Sequence, residues 1–176
     1  MGGLARGGKT TAASVLAAVL RRQGHRVHRV SLDGFLLPPA QRGVTVLERY
    51  NMPEIEALVR LLATRPETGP VSRRLGRYAR KQRTVLLDEA ETVFQPGETI
   101  LVEGVVGLAL PLLLQVAARR IYVETDETVR KQRFLLEYSR RGYGPAEAEA
   151  LYAEREEDEN KIIRELRGDA EVVTVE

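Results

Sequence analysis

Residues 3–10 read Gly3-Leu4-Ala5-Arg6-Gly7-Gly8-Lys9-Thr10, followed by Thr11, and the reading of this stretch decides the fold. Its spacing is G-x-x-x-x-G-K-[ST], the pattern of a loop whose backbone N–H groups cradle phosphate oxygens. Glycine at positions 3, 7 and 8 lets the chain curl until successive amides face one anion. A helix must follow, because its free N-terminal amides and positive dipole end favour negative charge. Thr10 to Gln23 supplies it, with Val15, Leu16, Val19 and Leu20 at helical spacing and Gly24 where a helix would stop. Lys9 is then placed to reach β- and γ-phosphates and Thr10 to offer its hydroxyl to Mg2+, so ATP and Mg2+ are the expected ligands.

Working outward, Arg26 to Leu32 alternates as a strand that ends at Asp33-Gly34. Phe35 to Asn51 has the prolines and glycine of a long loop, and Pro53 opens a helix through about Ala63. Thr84 to Leu87, Ile100 to Glu103, Ile121 to Val123 and Val172 to Val175 read as further strands. A helix from about Glu127 to Arg140 is interrupted by Gly142 and Gly144, and Pro145 starts another that reaches about Arg167. Alternating strands and helices predict an α/β fold, a three-layer αβα arrangement with a mainly parallel sheet, formed by residues 1–176 as one domain. A phosphate-binding loop normally follows a buried strand, and only Met1 and Gly2 precede Gly3. The expectation is therefore a sheet whose first strand is missing from the N-terminus, with Val172 to Val175 lying near the gap without replacing it.

Composition narrows the function classes. With 43% hydrophobic and 30% charged residues the balance is globular, not disordered or fibrous. The absence of cysteine excludes a disulfide framework, a thiolate zinc site and a cysteine nucleophile. Two histidines, His25 and His28, do not make a histidine-rich metal site, which leaves oxygen ligands for any metal. A net charge of +2 is too small to indicate nucleic-acid binding. The basic run from Ser72 to Arg83 interleaves only one aromatic, Tyr78. The run Val105 to Val116 falls short of the ~20 apolar residues a membrane span requires. No N-terminal signal layout is visible, so the cytoplasm is the expected compartment and no membrane partner is expected. Glu147 to Glu159 holds seven acids, but with Leu151 and Tyr152 at helical spacing it reads as an exposed amphipathic helix without chemistry.

Four stretches together resemble the uridine kinase, phosphoribulokinase and pantothenate kinase group of P-loop kinases. They are Gly3 to Thr11, Ser31 to Phe35, Leu101 to Val105, and Ile121 to Asp126 with Arg130, Arg133, Arg141 and Gly142 behind it. The resemblance implies transfer of the γ-phosphoryl group of ATP to a hydroxyl of a small molecule. It implies nucleotide contacts from Gly3, Arg6, Gly7, Gly8, Lys9, Thr10 and Thr11, and Mg2+ held by Thr10 and Glu103. Asp33 would accept the proton of the attacking hydroxyl, with Phe35 and Arg42 on the acceptor-binding loop. Both carboxylates end predicted strands, the edge of an open α/β sheet that faces the ligand crevice. A lid around residues 133–145 would close Arg133 and Arg141 over the phosphates, and Arg130 and Arg140 precede the same glycines.

Departures from that group are also legible. Glu137 stands where the group often has another arginine. The Pro-x-Tyr-Asp motif and base-contacting histidine of its nucleoside kinases are absent between Arg73 and Arg83. The six cations of that run, Arg73, Arg74, Arg77, Arg80, Lys81 and Arg83, either meet an anionic acceptor or form a solvated face. Two further readings stay open, a nucleotide-binding protein that does not phosphorylate a metabolite and an inactive relative lacking its first strand. A GTPase or transporter ATPase is disfavoured, since neither Asn-Lys-x-Asp, Thr-Lys-x-Asp nor Leu-Ser-Gly-Gly-Gln occurs.

Overall fold

A computed structural model describes residues 1–79 and 81–175. In chain order the elements are α1 (Lys9–Arg22), β1 (Val27–Ser31), α2 (Met52–Thr68), β2 (Val71–Arg73), β3 (Gly76–Ala79), β4 (Thr84–Leu87), β5 (Thr92–Phe94) and β6 (Thr99–Glu103), then α3 (Pro111–Val116), β7 (Ile121–Glu124), α4 (Glu127–Ser139), α5 (Pro145–Arg155), α6 (Lys161–Glu165) and β8 (Glu171–Thr174). The fold is mixed α/β, with β1 parallel to β6 and β7 parallel to β8.

Those two parallel pairs are joined through Met1 and Gly2. Met1 N donates to Val102 O at 2.8 Å, and Gly104 N donates to Met1 O at 3.3 Å, which ties the dipeptide to β6. On its other side Gly2 N donates to Ile121 O and Val123 N to Gly2 O, each at 2.9 Å, in a parallel bridge to Tyr122 of β7. The central strand position thus holds two residues, and the phosphate loop starts directly from them. β8 pairs along the far side of β7 and does not fill the centre.

Period-2 alternation in the strands sorts side chains onto two faces. Val27 and Leu101 pack with Ala13 and Ala17 of α1 on one face. Val30, Val102 and Ile100 face the other, where Ile55, Leu58 and Val59 of α2 and Leu110 before α3 complete the larger core. Small residues on the buried stripe of α1 let that helix lie close to the sheet. A separate cluster of Phe134, Tyr138, Ala148 and Tyr152 holds α4 against α5.

Segment 71–94 departs from the parallel pattern. β2 pairs antiparallel with β5, and β3 with β4 nested inside, so the chain runs out and back as one interrupted hairpin arm. The basic run lies on this arm, not on a helix. Its Arg74, Arg77, Lys81 and Arg83 are exposed and Arg73 pairs with Glu54 of α2; Arg80 lies outside the described residues. Two boundaries also differ from the sequence reading. β1 stops at Ser31, and residues 32–35 form a 3-10 turn. The helix from Pro145 does not run unbroken to residue 167, because residues 156–160 form a π-helical turn before α6. Among the described residues no helix is long and apolar enough to cross a membrane.

Candidate functional site

The phosphate loop owes its shape to three glycines and one strained residue. A Cβ at Gly3 would fall on Val123 O, one at Gly7 would lie 3.0 Å from Leu4 O, and one at Gly8 would lie 2.7 Å from a Val175 methyl. Larger residues would push the loop off the ends of β7 and β8. Gly8, at φ 80°, turns the chain into α1, and Arg6 adopts the left-handed region at φ 65° without being glycine. Such a backbone costs of order 1 kcal/mol or more and persists only where the surroundings enforce it. Gly7 N donates to Leu4 O at 3.1 Å, while the first-turn amides of α1 have no intrahelical acceptor and remain available to an anion. The Thr125 hydroxyl lies within hydrogen-bond reach of Gly7 O (3.2 Å) and Val175 O (3.0 Å), pinning the loop from behind.

Lys9 is buried and donates from Nζ to Leu4 O at 2.6 Å. Burial lowers its pKa to about 8, against the pull of Asp33, Glu103 and Glu159. A cleft of about 550 Å3 opens here, lined by Arg6, Gly8, Lys9, Thr10 and Thr11 together with Asp33 and Arg42. Glu103, Arg133 and Arg141 line it as well. Ten of the residues singled out by sequence are therefore brought together. Gly3 and Gly7 shape the loop from beneath and do not line the cleft. Phe35, at the end of the 3-10 turn, is partly buried against the main core and is not among the residues lining the cleft.

The carboxylates differ in how they are held. Glu103 is 3% exposed, yet takes no hydrogen bond and no ion pair within the described chain. Lys9 and the Met1 amino group attract its charge from a distance, and at the end of β6 it lines the cleft, a position that suits a cation. The Thr10 hydroxyl is likewise unpartnered. Among the described residues no three His, Asp or Glu side chains converge as a metal cluster. A magnesium ion brought by a nucleotide needs only one or two protein oxygens, and Glu103 with Thr10 fit that requirement. Asp33, partly buried beyond the end of β1, also accepts no hydrogen bond and forms no ion pair.

The arginines divide into two groups. Arg133 and Arg141 line the cleft, whereas Arg130 is 2% exposed behind the loop. It donates to Glu127 (2.6 and 3.0 Å), to the Tyr152 hydroxyl (2.9 Å), to Ala5 O (3.4 Å) and to Glu156. Arg140 is exposed and does not line the cleft. Glu137 links the loop to α4: it pairs with Arg6 at 3.0 Å and with Arg141 at 2.7 Å. Burial pushes the Glu137 carboxyl up, but the Arg141 and Arg6 guanidinia outweigh it and hold it below the usual carboxylate range.

Sequence reasoning missed Glu159. It is 3% exposed on the π-helical turn, lines the cleft, and accepts at Oε2 from Arg49 (2.8 Å) and Arg155 (3.0 Å). The readable signal is periodic: Ala148, Tyr152, Glu159 and Ile163 fall on one buried face, and a carboxylate stands where an apolar residue is expected. Tyr50 and Tyr78 also line the cleft. Tyr78 is the contribution of the basic run, whose described cations stay outside.

No family model and no curated protein matches the sequence. Solved structures do match by fold. A candidate fructose transport system kinase from Silicibacter sp. TM1040 superposes with a TM-score of 0.76 at 19% identity, over 99% of this chain and 87% of that one. D-glycerate 3-kinase from Cryptococcus neoformans gives 0.63 at 11% identity, over 98% and 84%. A candidate uridine kinase from Bacillus stearothermophilus gives 0.54 at 23% identity, over 98% and 85%. With its phosphate loop, parallel strands and flanking helices, the chain has the fold of the uridine kinase-like P-loop kinases.

Proposed function

We propose that the chain is an ATP-dependent small-molecule kinase that transfers the γ-phosphoryl group to a hydroxyl of a nucleoside, sugar or related metabolite. The observation that carries this reading is the meeting, in one cleft, of a phosphate loop with Lys9 and two unpartnered carboxylates, Glu103 and Asp33. Kinases of the same fold acting on small molecules support it.

Lys9 and the free amides at the start of α1 bind the β- and γ-phosphates, and Arg133 and Arg141 approach them from the lid formed by residues 133–145. Glu103 and the Thr10 hydroxyl would hold Mg2+, which would supply charge neutralisation of the phosphate oxygens. Asp33 accepts the proton of the attacking hydroxyl. As the new O–P bond forms, the bond between Pγ and the bridging oxygen breaks, and its electron pair leaves on ADP. Positioning dominates such a transfer, and Asp33 without a competing hydrogen bond is free to take the proton.

The test is calorimetric titration of Mg-ATP into the chain beside Lys9→Ala, followed by ADP release with nucleosides, sugars and sugar acids as acceptors. The reading expects binding that Lys9→Ala weakens by about 100-fold or more, a loss of buried charge-assisted contacts. Absence of Mg-ATP binding to the unmodified chain would sink it.

A further inference from the structure

Around Tyr50, where Asp33, Glu159 and Arg42 gather, the cleft wall leaves hydrogen-bonding capacity unused. The Asp33 carboxylate has no partner within the described chain, and neither has the hydroxyl of Tyr50, a residue 6% exposed. Burial, with Asp33 and Glu159 adding, pushes the Tyr50 phenol far up, so it stays a neutral hydroxyl. Glu159 spends only Oε2 on Arg49 and Arg155; Oε1 has no partner, although the residue is 3% exposed. Arg42 is held by Nε to Leu37 O (2.7 Å) and Nη2 to the Tyr78 hydroxyl (3.1 Å), with its guanidinium 5.5 Å from the Tyr78 ring centroid. Its Nη1 edge is free, and it forms no ion pair with any described residue.

These groups specify a ligand. Convergent polar groups that line a cleft and have no partner within the described chain are available to a ligand that pairs them. Two carboxylate acceptors call for two hydroxyl donors. One fixed guanidinium edge, planar and permanently charged, calls for a planar monoanion. Arg49 and Arg155 are both engaged by the single Glu159 carboxylate, which leaves the Nη1 edge of Arg42 as the cationic edge offered to a ligand beside Asp33. We propose that the acceptor is a small polyhydroxy carboxylic acid. Its reacting hydroxyl lies on Asp33, a second hydroxyl on Glu159 Oε1, and its carboxylate on the free edge of Arg42. This rests on the kinase reading and adds the substrate class to it.

Matched acceptor pairs test it through ADP release from Mg-ATP. Glycerate against glycerol reads the carboxylate, glycerate against 3-hydroxypropanoate reads the second hydroxyl, and glycerol 3-phosphate and uridine stand for the other classes. Expected is a kcat/KM at least about 10-fold higher for glycerate than for either partner of its pairs. Arg42→Gln should erase the acid-over-neutral ratio mainly through KM. Glu159→Gln should erase the ratio of glycerate to 3-hydroxypropanoate. Thermal unfolding checks that each variant folds, and the unmodified chain's ratios stand alone if one does not. A preference for glycerol, uridine or glycerol 3-phosphate overturns the proposal, as does an Arg42→Gln that slows acid and neutral acceptors alike. Lys9-dependent binding of Mg-ATP with no acid turned over or bound also overturns it while leaving the nucleotide reading intact; loss of Mg-ATP binding itself defeats both.

Discussion

Two clusters of charge flank the phosphate loop, one behind it and one in front, and they are satisfied to different degrees. Behind, Arg130 spends its guanidinium on Glu127, Tyr152, Glu156 and Ala5 O, and Arg164 reaches Glu156 (3.0 Å) and Glu127 (3.4 Å) from α6. Asn160 donates into the same network, with only its Oδ1 left over. In front, Glu103, Asp33, Tyr50 and one oxygen of Glu159 have no partner in the described chain. Both clusters use similar residue types, but the rear carboxylates are the more open, Glu127 at 51% and Glu156 at 29% exposure against 3% for Glu103 and Glu159 in front. A network that pairs its own charges stabilises the fold, whereas groups held apart from partners store capacity for a ligand at the expense of stability.

Substitutions should separate the two clusters, and the largest effect is expected in front. Asp33→Asn is predicted to cut turnover by about 10^2–10^4-fold while leaving Mg-ATP affinity within about twofold. In urea unfolding the same change should be neutral or stabilising by up to ~1 kcal/mol. A clear loss of stability would mean that Asp33 belongs to the structural kind of cluster. Arg130→Met should invert the pattern: roughly 1–2 kcal/mol lost from the unfolding free energy, because the hydrogen bonds of a buried guanidinium to Tyr152 and Ala5 O disappear while Glu127 and Glu156, partly open to solvent, keep Arg164. If Arg130→Met unfolds normally but fails to bind Mg-ATP, the rear cluster is functional after all.

Lys9 gives a finer measure. Burial places its pKa near 8 in the free protein, and phosphate beside it must raise that value. Nucleotide binding at pH 8.5 should therefore take up protons, roughly 0.7 per ATP, and affinity should fall as pH rises above 8. Calorimetry in buffers of different ionisation enthalpy reads the number directly, and zero uptake would show that Lys9 is already fully charged. The smallest effect belongs to Glu137, which ties Arg6 and Arg141 together from a half-exposed position. Glu137→Gln removes a rival for those arginines, so the dissociation constant for Mg-ATP should fall about two- to fivefold, more at low salt than at high.

How much of this was legible in the sequence followed from how far apart the cooperating residues stand. The phosphate loop is contiguous and is followed by a strongly periodic helix, so Gly3 to Thr11 could be read at once. Asp33 and Glu103 were legible because each lies at or just beyond the end of an apolar strand, where the sheet edge faces the crevice. Phe35 lies two residues past Asp33, and the 3-10 turn that packs it partly against the core has no alternation to reveal it. Glu159 was hidden among seven acids: it shares the helical spacing of Ala148, Tyr152 and Ile163, but only the tertiary packing shows that this position opens into the cleft. Met1 and Gly2 are too few for any periodicity, so their place between β6 and β7 comes only from the backbone hydrogen bonds they make. The hairpin arm was masked by its charge: alternating burial along 71–79 is real but weak, because arginines occupy the outward positions.

That arm has a consequence for how such a fold can change over generations. Its entry and exit lie side by side where β2 meets β5, so the segment between them can be lengthened or exchanged without stretching the rest of the chain. Yet it carries Tyr78, which fixes Arg42, and it sets Gly76 O against Gly34, where a Cβ would have no room. The arm thus reaches the cleft through Tyr78 alone among its described residues, while the loop of residues 3–10 stands on the sheet and α1. On the kinase reading, exchange of the arm's outer part would alter the surroundings of Arg42 and leave Lys9 and Thr10 in place.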